Sequence, residues 1–428
     1  MAIQSFSEVE LFTERESNVR SYCRSFPAVF SKANGHSLWD THGKEYIDFF
    51  SGAGALNYGH NHPRLKQALL KYIEEDGITH SLDMYTEAKA RFLERFSDII
   101  LDPRNMHYRI MFPGPTGTNS VESALKLARK ITRRESVISF TNAFHGMTLG
   151  SLALSGNQFK RNGAGVPLPF TVHMPYDGYF GPGIDTIEYL ERFLQDLGSG
   201  VSLPAAVIVE TIQGEGGVNV ASARWLRRVE QICRAYDILF IVDDVQVGCG
   251  RTGPFFSFEE YQINPDIICL SKSISGYGLP MALTLIKPEL DQWEPGEHNG
   301  TFRGNNPAFV TAAQALSTFW EDKVLSQQTH RKGEYVKQVL HHLSTQYAQA
   351  LPEVRGKGLI WGLAAESRDD LASRISMEAF KQGLIIETSG SESNVLKILP
   401  PLTITDQALE KGMDILLETA RQVIESGS

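Results

Sequence analysis

Short apolar runs that stop at a charged or polar residue recur through the middle of this chain and constrain its fold more than any other feature. Ala205-Ala206-Val207-Ile208-Val209 ends at Glu210, Ile238-Leu239-Phe240-Ile241-Val242 ends at Asp243-Asp244, and Ile267-Ile268-Cys269-Leu270 ends at Ser271-Lys272. Runs of four or five apolar residues between turn signals fit strands buried on both faces, as in a parallel sheet covered by helices. Between the first two runs, Ala223 to Ala235 has helical spacing. Strand, helix, strand in that order gives a right-handed parallel crossover. The predicted fold class is therefore α/β, a mostly parallel central sheet flanked by helices.

Outside that alternation the pattern changes. Leu38 to Phe50 alternates apolar and polar residues around Gly43, which predicts a hairpin. Strand-like and helical patterns alternate from about Asn57 to about Pro288. After Asn306 the chain turns helical and then mixed, with a strand-like stretch in Gly358-Leu359-Ile360-Trp361-Gly362-Leu363. A last helix, capped by Thr405, aligns Leu409, Met413, Leu416, Leu417 and Ala420 on one face. We expect a large domain over residues 57–306 and a smaller α+β domain built from both chain ends, residues 1–56 and 307–428.

Composition narrows the class. A chain of 428 residues can hold a large core and a second, smaller domain, and 42% hydrophobic with 21% charged residues is ordinary for a globular protein. The net charge of −9 argues against nucleic acid or an anionic membrane as partner. Met1 to Arg20 is polar and acidic without an apolar signal core, and no run reaches the length of a membrane span. Cys23, Cys233, Cys249 and Cys269 show neither metal spacing nor a disulfide framework, which fits a reduced cytoplasm.

Asp243 and Lys272 both fall at strand ends, where open α/β sheets bind ligands. Pyridoxal 5'-phosphate needs that pair: an amine to hold it covalently and a carboxylate to keep its pyridine nitrogen protonated. Its phosphate needs backbone amides at a helix start. Pro113-Gly114-Pro115-Thr116-Gly117-Thr118-Asn119-Ser120 feeds a helix with Val121, Ala124, Leu125, Ala128 and Ile131 on its apolar face. Gly248-Cys249-Gly250-Arg251-Thr252-Gly253 spells a dinucleotide fingerprint, but Pro254-Phe255-Phe256 interrupts the helix that motif requires, and its acids precede the glycines. A glycine-rich turn passing close to the cofactor is the better reading. His60-Asn61-His62 before Pro63 reads as a structural turn, since no third ligand motif accompanies it; no metal is expected.

The order Gly117-Thr118, Phe144-His145-Gly146, Glu210-Thr211-Ile212-Gln213-Gly214-Glu215, Asp243-Asp244-Val245-Gln246, Lys272 and Gly300-Thr301-Phe302 resembles the class III, or ω-, aminotransferases. The resemblance spans nearly the whole chain and implies the PLP-dependent transferase fold type I. It makes Lys272 the covalent anchor and the base that moves a proton, and Asp243 the partner of the pyridine nitrogen. Gln246 would meet the phenolic oxygen, Phe144 would stack on the ring, and His145 and Glu210 complete the cofactor set. Gly117 and Thr118 would hold phosphate with the partner subunit's Thr301, which implies a homodimer at least and leaves a homotetramer open. Asp244, next to Asp243, should point the other way and be structural.

Substrate contacts are less legible. Where many members of the family carry arginines, after the Phe-His-Gly-like motif and before the late Pro-Pro-Leu, this chain has Met147 and Lys397. A lysine is a point charge and not a bidentate fork, so carboxylates would be held differently; Arg303, and Lys397 opposite Glu215, are the expected substrate contacts. Val19 to Pro27, Gly52 to His60 and Gly383 to Gly390 resemble the branch of the family that makes L-2,4-diaminobutyrate. That resemblance implies transfer of the amino group of L-glutamate to L-aspartate 4-semialdehyde, with 2-oxoglutarate as the second product, as the step from the semialdehyde towards the osmotic-stress solute ectoine. The alternatives are an ω-aminotransferase for 4-aminobutyrate, ornithine or acetylornithine, a PLP aminomutase, and a non-enzyme relative of the same fold serving as a regulator or scaffold.

Overall fold

A computed structural model describes residues 9–366 and 370–426. The first eight residues of the polar Met1 to Arg20 stretch thus lie outside the described residues. The chain opens with an antiparallel meander, β1 (Phe30–Asn34), β2 (Ser37–Asp40) and β3 (Glu45–Asp48). Its second turn is the hairpin expected around Gly43.

Four strands follow, β4 (Arg109–Met111), β5 (Val137–Phe140), β6 (Thr171–Met174) and β7 (Ala206–Val209), then a two-residue pair, β8 (Ile212–Gln213) and β9 (Asn219–Val220). β10 (Leu239–Asp243), β11 (Ile267–Leu270) and β12 (Leu283–Ile286) complete a seven-stranded sheet in the order β4-β12-β11-β10-β7-β5-β6. All its neighbours are parallel except β12, which runs antiparallel to both β11 and β4. β5, β7, β11 and β12 are buried at every residue, which is why their sequences are continuous apolar runs and not alternating ones. Each fully buried Ile, Val or Leu there contributes roughly 1.5–3 kcal/mol relative to exposure.

Helices Gly117–Thr132 and Ala223–Ala235 cover the sheet. The second matches the predicted span and is capped by the Ser222 side chain, which accepts from Trp225 N. Beyond helix Asn306–Phe319, a second antiparallel sheet combines β13 (Glu353–Lys357), β14 (Ile360–Ala364), β16 (Glu387–Ser389) and β17 (Val395–Ile398). Between them β15 (Leu384–Ile385) leaves that sheet and pairs in parallel with β3, joining the two chain ends. Phe49 N donates to Ile385 O and Leu399 N to Phe49 O, both at 2.8–2.9 Å, so the join is carried by backbone bonds. The last helix, Asp406–Ser426, takes Thr405 Oγ1 as a cap and buries Leu409, Met413, Leu416 and Ala420; Leu417 is half-buried at the edge of that face.

The glycine-rich turn at 248–253 directly follows Val247, which lines the pocket described below, and its glycines also answer to packing of their own. A Cβ at Gly250 would stand 2.8 Å from Trp320, and one at Gly253 only 2.2 Å from His330. Between them the fully buried Arg251 donates to the carbonyl of Leu359 (2.9 Å), to that of Pro400, and to Asn57 Oδ1 (2.6 Å). Its guanidinium thus ties three distant segments together, and the glycines make room for that crossing. His60 Nε2 lies 2.8 Å from Asp48 Oδ2, and among the described residues there is no group of three His, Cys, Asp or Glu that could hold a metal ion.

Candidate active site

Five strands deliver side chains to one end of the seven-stranded sheet. β4 leads to the start of helix Gly117–Thr132, β5 to Phe144 and His145, β7 to Glu210, β10 to Asp243 and Gln246, and β11 to Lys272. These are the carboxyl ends of parallel strands, where the axis of the sheet leaves a crevice. Gly117, Phe144, His145, Glu210, Glu215, Asp243, Gln246 and Lys272 line the same pocket. Eight residues named from sequence thus meet around one cavity although they span more than 150 positions.

Asp243 is buried, and one of its carboxylate oxygens lies 2.7 Å from His145 Nδ1 while the other accepts from Val245 N at 3.2 Å. The imidazole therefore holds the carboxylate in a single orientation. Asp244 points away, as strand alternation requires, and accepts from Ser257 N and Oγ. Burial pushes its carboxyl up to about 7. Glu210 accepts from Phe144 N at 3.0 Å, which fixes the loop that carries the aromatic ring; burial and then the nearby Asp243 push its carboxyl well above the ordinary range.

Lys272 Nζ donates to Ala53 O at 2.7 Å. Burial lowers the pKa of this amine, partly offset by Glu215, so a larger share of it is neutral than for an exposed lysine. Both partners are strained: Lys272 has φ 52° and Ala53 has φ 56°, conformations that cost about 1–3 kcal/mol each in a residue other than glycine. Strain of this kind persists where the surroundings over-determine the geometry, and here it aims the amine into the pocket.

Behind Glu215 of the pocket lining, Lys397 is fully buried between two acids, 2.7 Å from Glu215 Oε1 and 2.9 Å from Glu387 Oε1. Gln246 Nε2 also donates to Glu215 Oε1 at 2.9 Å and to Ala53 O at 3.0 Å, joining this trio to the Lys272 side. Burial raises the Glu215 carboxyl, but Lys397 and Lys272 outweigh it and the net shift is downward. Burial lowers Lys397, yet the two acids hold its pKa above 10.5. Glu387 is pushed by burial from 4.5 up to about 7, although Lys397 pulls against the rise.

This shift makes a stability prediction. Between pH 4.5 and about 7 the folded protein holds a proton on Glu387 that the unfolded chain releases, so Glu387 lowers stability progressively as pH rises through that window. Glu387→Gln is expected to be more stable than the parent at pH 8, by on the order of 2 kcal/mol, and close to it at pH 4.5. Thermal unfolding at both pH values checks it; an equal difference at the two would contradict the protonation.

Lys397 opposite Glu215 is where the sequence reading expected it. Glu387 was not assigned a role, although it follows Leu384-Ile385-Ile386 as Lys397 interrupts Val395-Leu396 and Ile398-Leu399. A charged residue within each of two apolar runs was the available signal; their direct cross-strand pairing needed the fold. Other expected residues lie elsewhere. Thr118 stands at the helix start, where its hydroxyl meets Thr148 Oγ1 (2.6 Å) and Ser151 Oγ (2.9 Å). Thr301 is exposed and outside the pocket. Arg303 is outside it too, bonded to His298 O and Asn299 Oδ1 and 4.0 Å from Asp83; Met147 is exposed.

The family model Aminotransferase class-III matches residues 20–420. The chain belongs to the class III aminotransferases. It is 59% identical over 422 residues to the diaminobutyrate–2-oxoglutarate transaminase of Halalkalibacterium halodurans, covering 99% of this chain and 98% of that protein. The protein of the same name from Streptomyces coelicolor is 58% identical, covering 97% and 98%. Among solved structures, the ornithine aminotransferase of Toxoplasma gondii superposes with a TM-score of 0.85 at 28% identity, covering 98% of this chain and 95% of that one. A second structure of that enzyme is described with partial occupancy of PLP at its active site.

This class III aminotransferase is thus an enzyme of PLP-dependent fold type I, and its cofactor is pyridoxal 5'-phosphate. The residues present fit the group. A helix start offers the amides of Gly117 and Thr118, which have no partner within the helix; a buried carboxylate, Asp243, and an amine, Lys272, both line the pocket; and Gln246 Oε1 is buried without a hydrogen-bond partner. Among the described residues, no helix is long and apolar enough to cross a membrane.

Proposed function

We propose that this aminotransferase moves the amino group of L-glutamate onto the terminal aldehyde of L-aspartate 4-semialdehyde, giving L-2,4-diaminobutyrate and 2-oxoglutarate. The observation that carries the reading is 59% identity, over 99% of the chain, to a protein named for that pair of substrates. When bound, pyridoxal 5'-phosphate supplies an electron sink for the carbon that carries the transferred amine. Lys272 would hold the group covalently and, once released by the incoming amine, would carry the proton between substrate and cofactor; a depressed pKa suits both tasks. Asp243, oriented by His145, would keep the ring nitrogen protonated, and Phe144 would cover the ring face. The start of helix Gly117–Thr132 would take the phosphate.

We further read the active unit as a homodimer in which the partner subunit's Thr301 completes the phosphate site. The exposure of Thr301, of Phe302 (67%) and of Tyr85 (100%) on two adjoining segments supports it, because large apolar side chains left in water mark a contact surface. Residues 57–306 are proposed as the large domain, with 1–56 and 307–428 forming the small one. The assigned product places the enzyme at the entry from the semialdehyde to ectoine, in a cytoplasmic response to osmotic stress.

The test is a half-reaction screen on purified, cofactor-loaded protein. L-2,4-diaminobutyrate, L-ornithine, N-acetylornithine, 4-aminobutyrate and L-glutamate are added separately while the cofactor absorbance is followed. Prompt loss with diaminobutyrate and glutamate alone, reversed by 2-oxoglutarate, supports the assignment. Inert diaminobutyrate with an active ornithine or 4-aminobutyrate would overturn the substrates and leave the family intact.

A further inference from the structure

Three ionisable groups do not balance where Glu215 lines the pocket and Lys397 and Glu387 stand behind it. Lys397 is a single ammonium with no exposed side-chain surface, set between the carboxylates of Glu215 and Glu387. Glu387 and Lys397 are direct cross-strand partners in β16 and β17, so the backbone register places them together. With both acids ionised the trio carries one excess negative charge in a site where water cannot compensate it. Glu387 Oε1 is buried with Lys397 Nζ 2.9 Å away as its partner, while Glu215 Oε1 takes both Lys397 and Gln246, so Glu387 has acceptor capacity to spare. The charged or titratable groups around it are Glu215, Lys397, Lys272 and Tyr22.

Resting on the substrate reading above, we propose that Glu387 is a specificity-determining residue that receives the second, non-reacting ammonium of the diamino acid. A buried excess carboxylate must be neutralised by a proton or by a bound cation. A substrate bearing an extra ammonium supplies the cation, and Glu387 gives up its proton to solvent as that substrate binds. L-Glutamate brings carboxylates at both ends and no second ammonium, and for it Glu387 keeps its proton and the trio stays neutral. One wall thereby serves two unlike substrates in alternate halves of the cycle. Lys397, already saturated by two acids, is the fixed counter-charge and not the carboxylate receptor.

The experiment compares cofactor-loaded parent, Glu387→Gln and Glu387→Asp proteins, measuring kcat/KM of the amine half-reaction for L-2,4-diaminobutyrate, 4-aminobutyrate and L-glutamate. The first two differ by only the α-ammonium. The preference for diaminobutyrate over 4-aminobutyrate is expected to fall about tenfold or more in Glu387→Gln and to be partly restored in Glu387→Asp, with the rate for glutamate little changed. A preference that survives in Glu387→Gln, or an equal fall for all three amines, overturns the inference and leaves the substrate reading standing. A parent protein without preference for diaminobutyrate overturns the substrate reading and the inference with it.

Discussion

Lys272→Ala is expected to lower turnover by about 10⁴-fold or more, the largest effect of any single substitution in this chain. The reason is the double duty of one nitrogen. On the proposed mechanism this amine would be the covalent anchor and, once released, the base that moves the proton, so alanine would remove two steps at once. Lys397, the amine behind Glu215, cannot replace it: it is committed to Glu215 and Glu387, and its pKa is held up while that of Lys272 is held down. Single-turnover absorbance measurements with L-2,4-diaminobutyrate and L-glutamate check the result. Retention of the cofactor through the helix start at Gly117 and Asp243, with no amine-driven change in absorbance, is the expected pattern; normal turnover would remove Lys272 from the mechanism.

Asp243→Asn should come second, with a fall of about 10²–10³-fold in turnover. Asparagine can keep an acceptor near His145 Nδ1, now 2.7 Å from the carboxylate, but it cannot keep the negative charge that holds a ring nitrogen protonated. The chemistry should therefore suffer more than binding, with kcat falling and KM for either amine nearly constant. The neighbouring Asp244→Asn supplies the contrast. That carboxylate faces Ser257 and not the pocket, so its loss is expected to change stability and to leave turnover near that of the parent. Equal effects of the two substitutions on kcat would contradict the assignment of Asp243.

Much of this site was legible in the chain because the chemistry sits where a local pattern stops. Asp243 and Lys272 end apolar runs, and burial on both sheet faces is what makes those runs continuous. The helix Ala223–Ala235 shows itself through its spacing and its serine cap. Glu387 also ends an apolar run, but its pairing is not legible, because Lys397 is ten residues on and the intervening turn decides which residues face each other. The turn at 248–253 is legible as no dinucleotide site, since proline breaks the required helix, but its packing partners are not. Its glycines answer to Trp320 and His330, more than sixty residues further along the chain.

The sequence by itself determined the α/β class, the strand ends that carry Asp243 and Lys272, and the family, since these rest on periodicity, turn chemistry and motif order within short stretches. The tertiary structure alone decided the reversed direction of β12, the joining of β15 to β3, the Arg251 crossing, and the buried trio of Glu215, Lys397 and Glu387. Those features depend on contacts between residues far apart in the chain. Their free energy comes from burial and charge pairing at positions that no local pattern encodes.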